Sequence, residues 1–109
     1  MSDAGTIVTV AGRVDPTELG YVLPHEHLFI DAVEAWFEPP GSAHERRLAR
    51  EPLSLDTLPY VRWNLESNRD NLRLDSMEEA IAEVERYHRA GGGTIVDVTP
   101  KGIGGDVER

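Results

Sequence analysis

The chain has 109 residues, room for one domain and no more, and its 39% hydrophobic and 28% charged residues suit a folded protein rather than a disordered one. Twenty acidic residues against eleven basic ones leave a net charge of −9, which argues against sequence-independent nucleic-acid binding, a task that needs Lys and Arg facing phosphates. The absence of cysteine removes disulfide and thiolate chemistry, apolar runs of a few residues exclude a membrane span, and residues 1–5 lack the basic start of a secretory leader, so a cytoplasmic location is expected.

In chain order, Thr6-Ile-Val-Thr-Val10 is short and β-branched and predicts a strand over 6–10. Asp15-Pro-Thr-Glu18 reads as one capped helical turn, with proline in its first position and Gly20 ending it. The extended run from Tyr21 through Pro24-His-Glu-His27 predicts a second strand over 21–29. It is expected to pair antiparallel with the first near 21–23, as a short leading β-hairpin. Residues 31–75 show no clear strand: Pro39-Pro-Gly41 breaks the chain and Asn68-Arg-Asp-Asn71 reads as a turn. Short helices are expected at 43–50 and 57–65, the second capped by Asp56 with Pro59 in its first turn. A connection this long, against a typical ~4–6 residues, reads as a functional loop.

Residues 77–90 give the clearest helix signal. Ser76 and Glu79 have the spacing of a capping box, and Gly91 stands where a left-handed C-terminal cap is wanted. Met77, Ala80, Ile81, Val84 and Tyr87 share one face, with Ile81 and Val84 expected to turn inward. Glu85 and Arg89 are spaced i, i+4 in the favourable order. Three glycines lead into Thr94-Ile-Val-Asp-Val-Thr99, a near-continuous apolar run that suits a parallel strand buried on both faces. Strand, helix and strand in this order make a βαβ crossover, so strand 94–98 is expected parallel to the stretch entering His25.

The chemistry concentrates at His25 and His27. Two residues apart on one strand, they would point to the same face, where two imidazoles can share a divalent ion such as zinc. Standing alone, an H-x-H pair favours a structural explanation, such as edge hydrogen bonding. Its position just past a strand and before a long loop points to metal. Glu26 alternates to the opposite side and is assigned packing or hydrogen bonding. Asp97, a carboxylate inside an apolar strand, needs a partner. Its two readings are a local hydrogen bond and a role orienting a metal-bound histidine. Gly102-Ile-Gly-Gly105 lacks the residues of a dinucleotide fingerprint or a P-loop. His88 is expected near the helix's terminal carbonyls, His44 in solvent, and Trp36, Phe37 and Trp63 in packing.

Gly20-Tyr-Val-Leu-Pro-His-Glu-His-Leu-Phe29 resembles the first-strand signature of the phosphotriesterase family of the amidohydrolase superfamily. Ser67-Asn-Arg-Asp-Asn-Leu-Arg-Leu-Asp75, Ala90-Gly-Gly-Gly-Thr-Ile-Val-Asp-Val-Thr-Pro100 and Gly102-Ile-Gly-Gly-Asp106 resemble its next landmarks, in order. The resemblance implies an α/β fold, the N-terminal third of a (β/α)₈ TIM barrel, with a centre of two divalent metals, zinc in the first instance. His25 and His27 match the first-strand ligands. The bridging lysine, two further histidines and an aspartate come from later strands; Lys101 does not match that lysine, and Gly105 stands where the family commonly has Arg. The implied function is a metal-dependent hydrolase in which a metal-activated hydroxide attacks a phosphotriester or lactone. Its partner would be that small-molecule substrate, with no nucleic acid and no membrane. Family members are often dimers, so a homodimer is a further expectation. The alternative is a truncated, non-catalytic fragment that binds metal weakly or pairs with another chain.

Overall fold

The computed structural model describes residues 5–108, so residues 1–4, which bear on the leader, lie outside the described residues. The chain forms two compact units: residues up to 26 together with 77–98, and residues 27–76 together with those from 99 on. No helix among the described residues is long and apolar enough to cross a membrane.

In the first unit, strands β1 (Ile7–Thr9) and β2 (Gly12–Val14) form an antiparallel hairpin with Ile7 opposite Val14. This corrects the expected pairing of 6–10 with 21–23. Val10 and Ala11 make the turn, Thr9 Oγ1 accepts from Ala11 N–H at 3.2 Å and donates to the Gly12 carbonyl at 2.8 Å, and Gly12 takes φ +121. Closing so short a loop costs less chain entropy than reaching residue 21. A 3₁₀ turn at Pro16–Glu18 follows, with the full capping box of Asp15 and Glu18.

Strand β3 (Tyr21–Glu26) pairs in parallel with the last strand of this unit, Gly92–Asp97, as the βαβ reading expects. The register slips twice. Tyr21 faces Gly92 but Val22 faces Thr94, so the extra residue is Gly93; a Cβ there would collide with the Leu19 carbonyl. Leu23 faces Ile95 but Glu26 faces Asp97, so Pro24 and His25 occupy the bulge on β3. Proline has no N–H to give a ladder, which explains a slip at this place.

The second unit begins with β4 (Ile30–Asp31), α1 (Val33–Trp36), α2 (Ala43–Leu48), α3 (Leu58–Val61) and β5 (Arg73–Leu74). β4 and β5 pair antiparallel, which corrects the expectation of no strand in 31–75. Each is two residues long, too short for an alternation to show; the Asp31–Arg73 ion pair at 3.1 Å and the Ala32 N–H to Leu72 carbonyl bond at 3.0 Å hold them. Ser42 and Glu45 cap α2 reciprocally, whereas α3 begins after Thr57, not Asp56, with no side-chain cap. Ala32, Ala49, Val61 and Leu72 are the buried apolar residues, joined by buried Thr57 and Asn68. Asn68 Nδ2 donates to the carbonyls of Leu48 at 2.9 Å and Glu51 at 3.0 Å, and Oδ1 accepts from Asn71 N–H at 2.9 Å. Trp36 and Trp63 are exposed, contrary to the packing expectation; Phe37 instead carries the Arg69 guanidinium 4.5 Å above its ring.

Returning to the first unit, helix α4 (Met77–Arg89) precedes strand β6 (Gly92–Asp97). Gly91 takes φ +101 as the left-handed cap, and Glu85–Arg89 closes at 2.7 Å. Tyr87 ties helix to sheet: its hydroxyl donates to the carbonyls of Tyr21 at 2.6 Å and Thr94 at 3.0 Å, and its ring lies where a Gly92 side chain would be. Val84 is half-buried, but Ile81 is 52% exposed and does not turn inward. β6 is not buried on both faces either: Val96 within it and Val98 just past it are 42% and 37% exposed.

Candidate metal centre

His25 lies in β3, within the bulge, and His27 lies one residue past the strand's end. The two histidines therefore do not share one regular strand, and alternation does not fix where they point. A bulge re-aims side chains locally, and such irregularities gather beside functional sites.

His27 is half-buried, and its Nδ1 lies 2.8 Å from Thr99 Oγ1. A hydroxyl can donate to a bare ring nitrogen or accept from a protonated one, so this bond suits either tautomer and restrains the ring itself. Metal-bound histidines characteristically use one nitrogen this way while the other takes the metal. Thr99 stands just after Val98, whose N–H donates to the Glu26 carbonyl at 3.0 Å and extends the parallel ladder past Asp97. Sequence reading passed over Thr99; its one signal was a hydroxyl residue directly after an apolar parallel strand. Asp97, opposite Glu26 at the end of β6, is exposed rather than enclosed in an apolar strand.

Past Thr99 the chain makes a tight turn. The N–H groups of Ile103, Gly104 and Gly105 donate to the Pro100, Lys101 and Pro100 carbonyls at 3.1, 3.2 and 2.9 Å. These donors are engaged within the turn, so the glycine loop is not a backbone phosphate cradle. A side chain at Gly105 would run into the Thr99 carbonyl, so the arginine common in the family has no room in this turn. His88 Nδ1 lies 3.4 Å from the Gly92 carbonyl, beyond the helix end, and His44 is exposed.

The donor set suits a divalent metal in kind, since neutral imidazole is a good zinc ligand. In number it is partial. A catalytic zinc keeps about three protein ligands, and no group of three or more His, Asp or Glu residues that could hold a metal occurs among the described residues.

The profile of the phosphotriesterase family matches residues 5–109. The chain is 37% identical to an N-acetyltaurine hydrolase of Dictyostelium discoideum, over 94% of this chain and 33% of that protein. It is 36% identical to a phosphotriesterase-related protein of Nematostella vectensis, over 96% of this chain and 31% of that one. Among solved structures, a resiniferatoxin-binding protein from Rhodobacter sphaeroides superposes with a TM-score of 0.89 at 39% identity, over 95% of this chain and 29% of that one. The chain thus spans about a third of the length of these relatives. With the family profile running from residue 5 to residue 109, the chain belongs to the phosphotriesterase family.

Proposed function

We propose that these residues are the opening β–loop–α–β portion of a (β/α)₈ hydrolase, with His25 and His27 as its first metal ligands. The observation that carries the reading is the His27–Thr99 hydrogen bond, which joins the residue after β3 to the residue after β6. These are the C-terminal ends of two parallel strands, where a barrel of this kind keeps its active site. A divalent metal, when bound there, supplies hydroxide at neutral pH by lowering the pKa of its water to about 7. The protein's own contribution is to present two imidazoles and to lock one of them through Thr99. The bond cleaved is a carbonyl or phosphoryl ester or amide. The relatives named for N-acetyltaurine hydrolysis favour the acyl amide over the phosphotriester or lactone.

A second reading, favoured by the partial ligand set, is that residues 1–109 alone bind zinc weakly and turn nothing over. One experiment addresses both. The chain and a version extended to the length of its relatives are assayed with zinc against an N-acyl amide, a lactone and a phosphotriester. The longer protein should hydrolyse at least one, and His25→Ala or His27→Ala should abolish it. Full activity in the His27→Ala protein would sink the metal assignment. Zinc-dependent turnover by residues 1–109, lost on His25→Ala, would overturn the second reading.

A further inference from the structure

The second unit contains a cleft of about 610 Å³ that none of the expected site residues lines. Its walls come from β4 and α1 on one side, Arg69 and Arg73 on another, and Lys101, Gly102 and Gly104 of the turn after Thr99. The volume is that of a small-molecule site, too small for a peptide or a nucleic acid.

Its charges differ from those of the chain. Three cations, Arg69, Arg73 and Lys101, meet two carboxylates, Asp31 and Glu34, in a protein whose net charge is −9. The Arg73–Asp31 pair at 3.1 Å is internally neutral, and it uses Arg73 Nε. Neither Arg69 nor Lys101 has a carboxylate partner among the described residues. Phe37 holds the Arg69 guanidinium over its ring, 4.5 Å from the centroid, a contact that restrains the side chain without neutralising its charge. Two cations without carboxylate partners therefore stand against Glu34 alone, in a concave wall where field lines concentrate. Lys101 is the only lysine of the chain, and it lies two residues beyond the Thr99 that holds His27. The turn glycines Gly102 and Gly104 bring no side chain into the cleft.

We propose that this cleft is an anion site: Arg69 and Lys101 hold a carboxylate, sulfonate or phosphate group of a small molecule. Resting on the hydrolase reading, this makes the substrate an acyl compound with an anionic head group, anchored by the cleft while its scissile bond lies outside it. Arg69 offers paired N–H donors that suit a planar or tetrahedral oxyanion, and Lys101 adds a point charge. Glu34 then disfavours a second negative charge on the ligand, so singly charged head groups fit better than doubly charged ones.

The test uses NMR on the isotope-labelled 109-residue chain, without metal, titrated with methanesulfonate, acetate and inorganic phosphate at constant ionic strength made up with chloride. A saturable shift of the Glu34, Arg69, Lys101 and Gly102 signals is expected, with the α2 arginines Arg46 and Arg47 unmoved. Lys101→Met should weaken binding roughly fivefold. Arg69→Gln should do at least as much, and Glu34→Gln should tighten binding and admit the doubly charged phosphate. Lys101 is exposed, so its loss leaves the fold intact, as an unchanged spectrum elsewhere would verify. Linear, unsaturable shifts, or equal shifts at the α2 arginines, would overturn the proposal by showing screening only. Because no metal or turnover enters this titration, its failure is separate from failure of the hydrolase reading. In an active longer protein, equal kcat/KM for anionic and neutral acyl substrates would also overturn it while leaving the hydrolysis standing.

Discussion

Thr99 Oγ1 sits 2.8 Å from His27 Nδ1, although 72 residues of chain separate them. The contact joins the residue after β3 to the residue after β6, so pairing the two strands also orients an imidazole. The loss of such a partner commonly lowers metal affinity by about 10- to 100-fold. Thr99→Val, which keeps the shape and removes the hydroxyl, should therefore weaken zinc binding by about tenfold, and Thr99→Ser should restore most of it. Calorimetric titration of zinc into the three proteins is the check. Equal affinity in the valine variant would mean that the hydrogen bond does not serve metal binding.

A second expectation concerns the join between α4 and the parallel pair. Tyr87 donates one hydroxyl to two carbonyls, of Tyr21 and Thr94, and its ring fills the space beside Gly92. Tyr87→Phe should cost about 1 kcal/mol in denaturant unfolding, the net worth of a hydrogen bond. Gly92→Ala should cost more, because its methyl must displace a ring whose far end is doubly anchored. In a Tyr87→Ala background the same Gly92→Ala change should be close to neutral. If the two costs simply add, the ring is not the obstacle.

The third is a pH effect confined to α2. Glu45 accepts from Ser42 Oγ at 2.6 Å and from Ser42 N–H at 3.3 Å, and these bonds hold its carboxyl below the ordinary value. A depressed folded-state pKa contributes stability above the unfolded value, near ~4.3, and loses it as pH falls through the folded one. Protection from amide exchange, taken relative to the intrinsic rate at each pH, at Arg46 and Ala49, whose N–H groups bond to the Ser42 and Glu45 carbonyls, should be steady at neutral pH and should fall below the usual carboxylate range. Glu45→Gln should flatten that acid response. An unchanged response in the glutamine variant would place the titrating group elsewhere.

Much of the first unit was legible in residue order. The α4 boundaries follow from Gly91 and the apolar face, and the parallel pairing follows from an extended run before that helix and a β-branched one after it. Several of the misreadings depend on a contact between distant segments. β4 and β5 are two residues each and exist through the Asp31–Arg73 pair. Thr99 matters only because β6 brings it to His27. Asn68 was read as part of a turn; its backbone is extended, between the 3₁₀ turns at Leu65–Ser67 and Asp70–Leu72. That its amide would reach back to Leu48 and Glu51 and become fully buried leaves no trace in local composition. Strict alternation does not carry from His25 to His27 for a local reason: the register slips between Leu23 and Glu26, and β3 ends at Glu26. The assignment of these histidines to metal therefore rests on family resemblance and on Thr99, with strand periodicity contributing nothing.

The placement of the buried residues has a consequence for how the chain acquires its shape. Ala32, Ala49, Val61, Leu72, Thr57 and Asn68 all lie in the excursion between β3 and α4, and none of the described residues of the first unit is buried. During synthesis β3 emerges first, but its partner β6 is made only after the whole excursion and α4. Parallel pairing across so long a loop is slow and waits on chain closure, whereas the contacts inside the excursion span far fewer residues. The excursion should therefore consolidate on the ribosome while β3 is still unpaired, and the ends of the two strands should meet only after it. On that schedule His27 acquires its Thr99 partner only after the excursion between them has taken its shape.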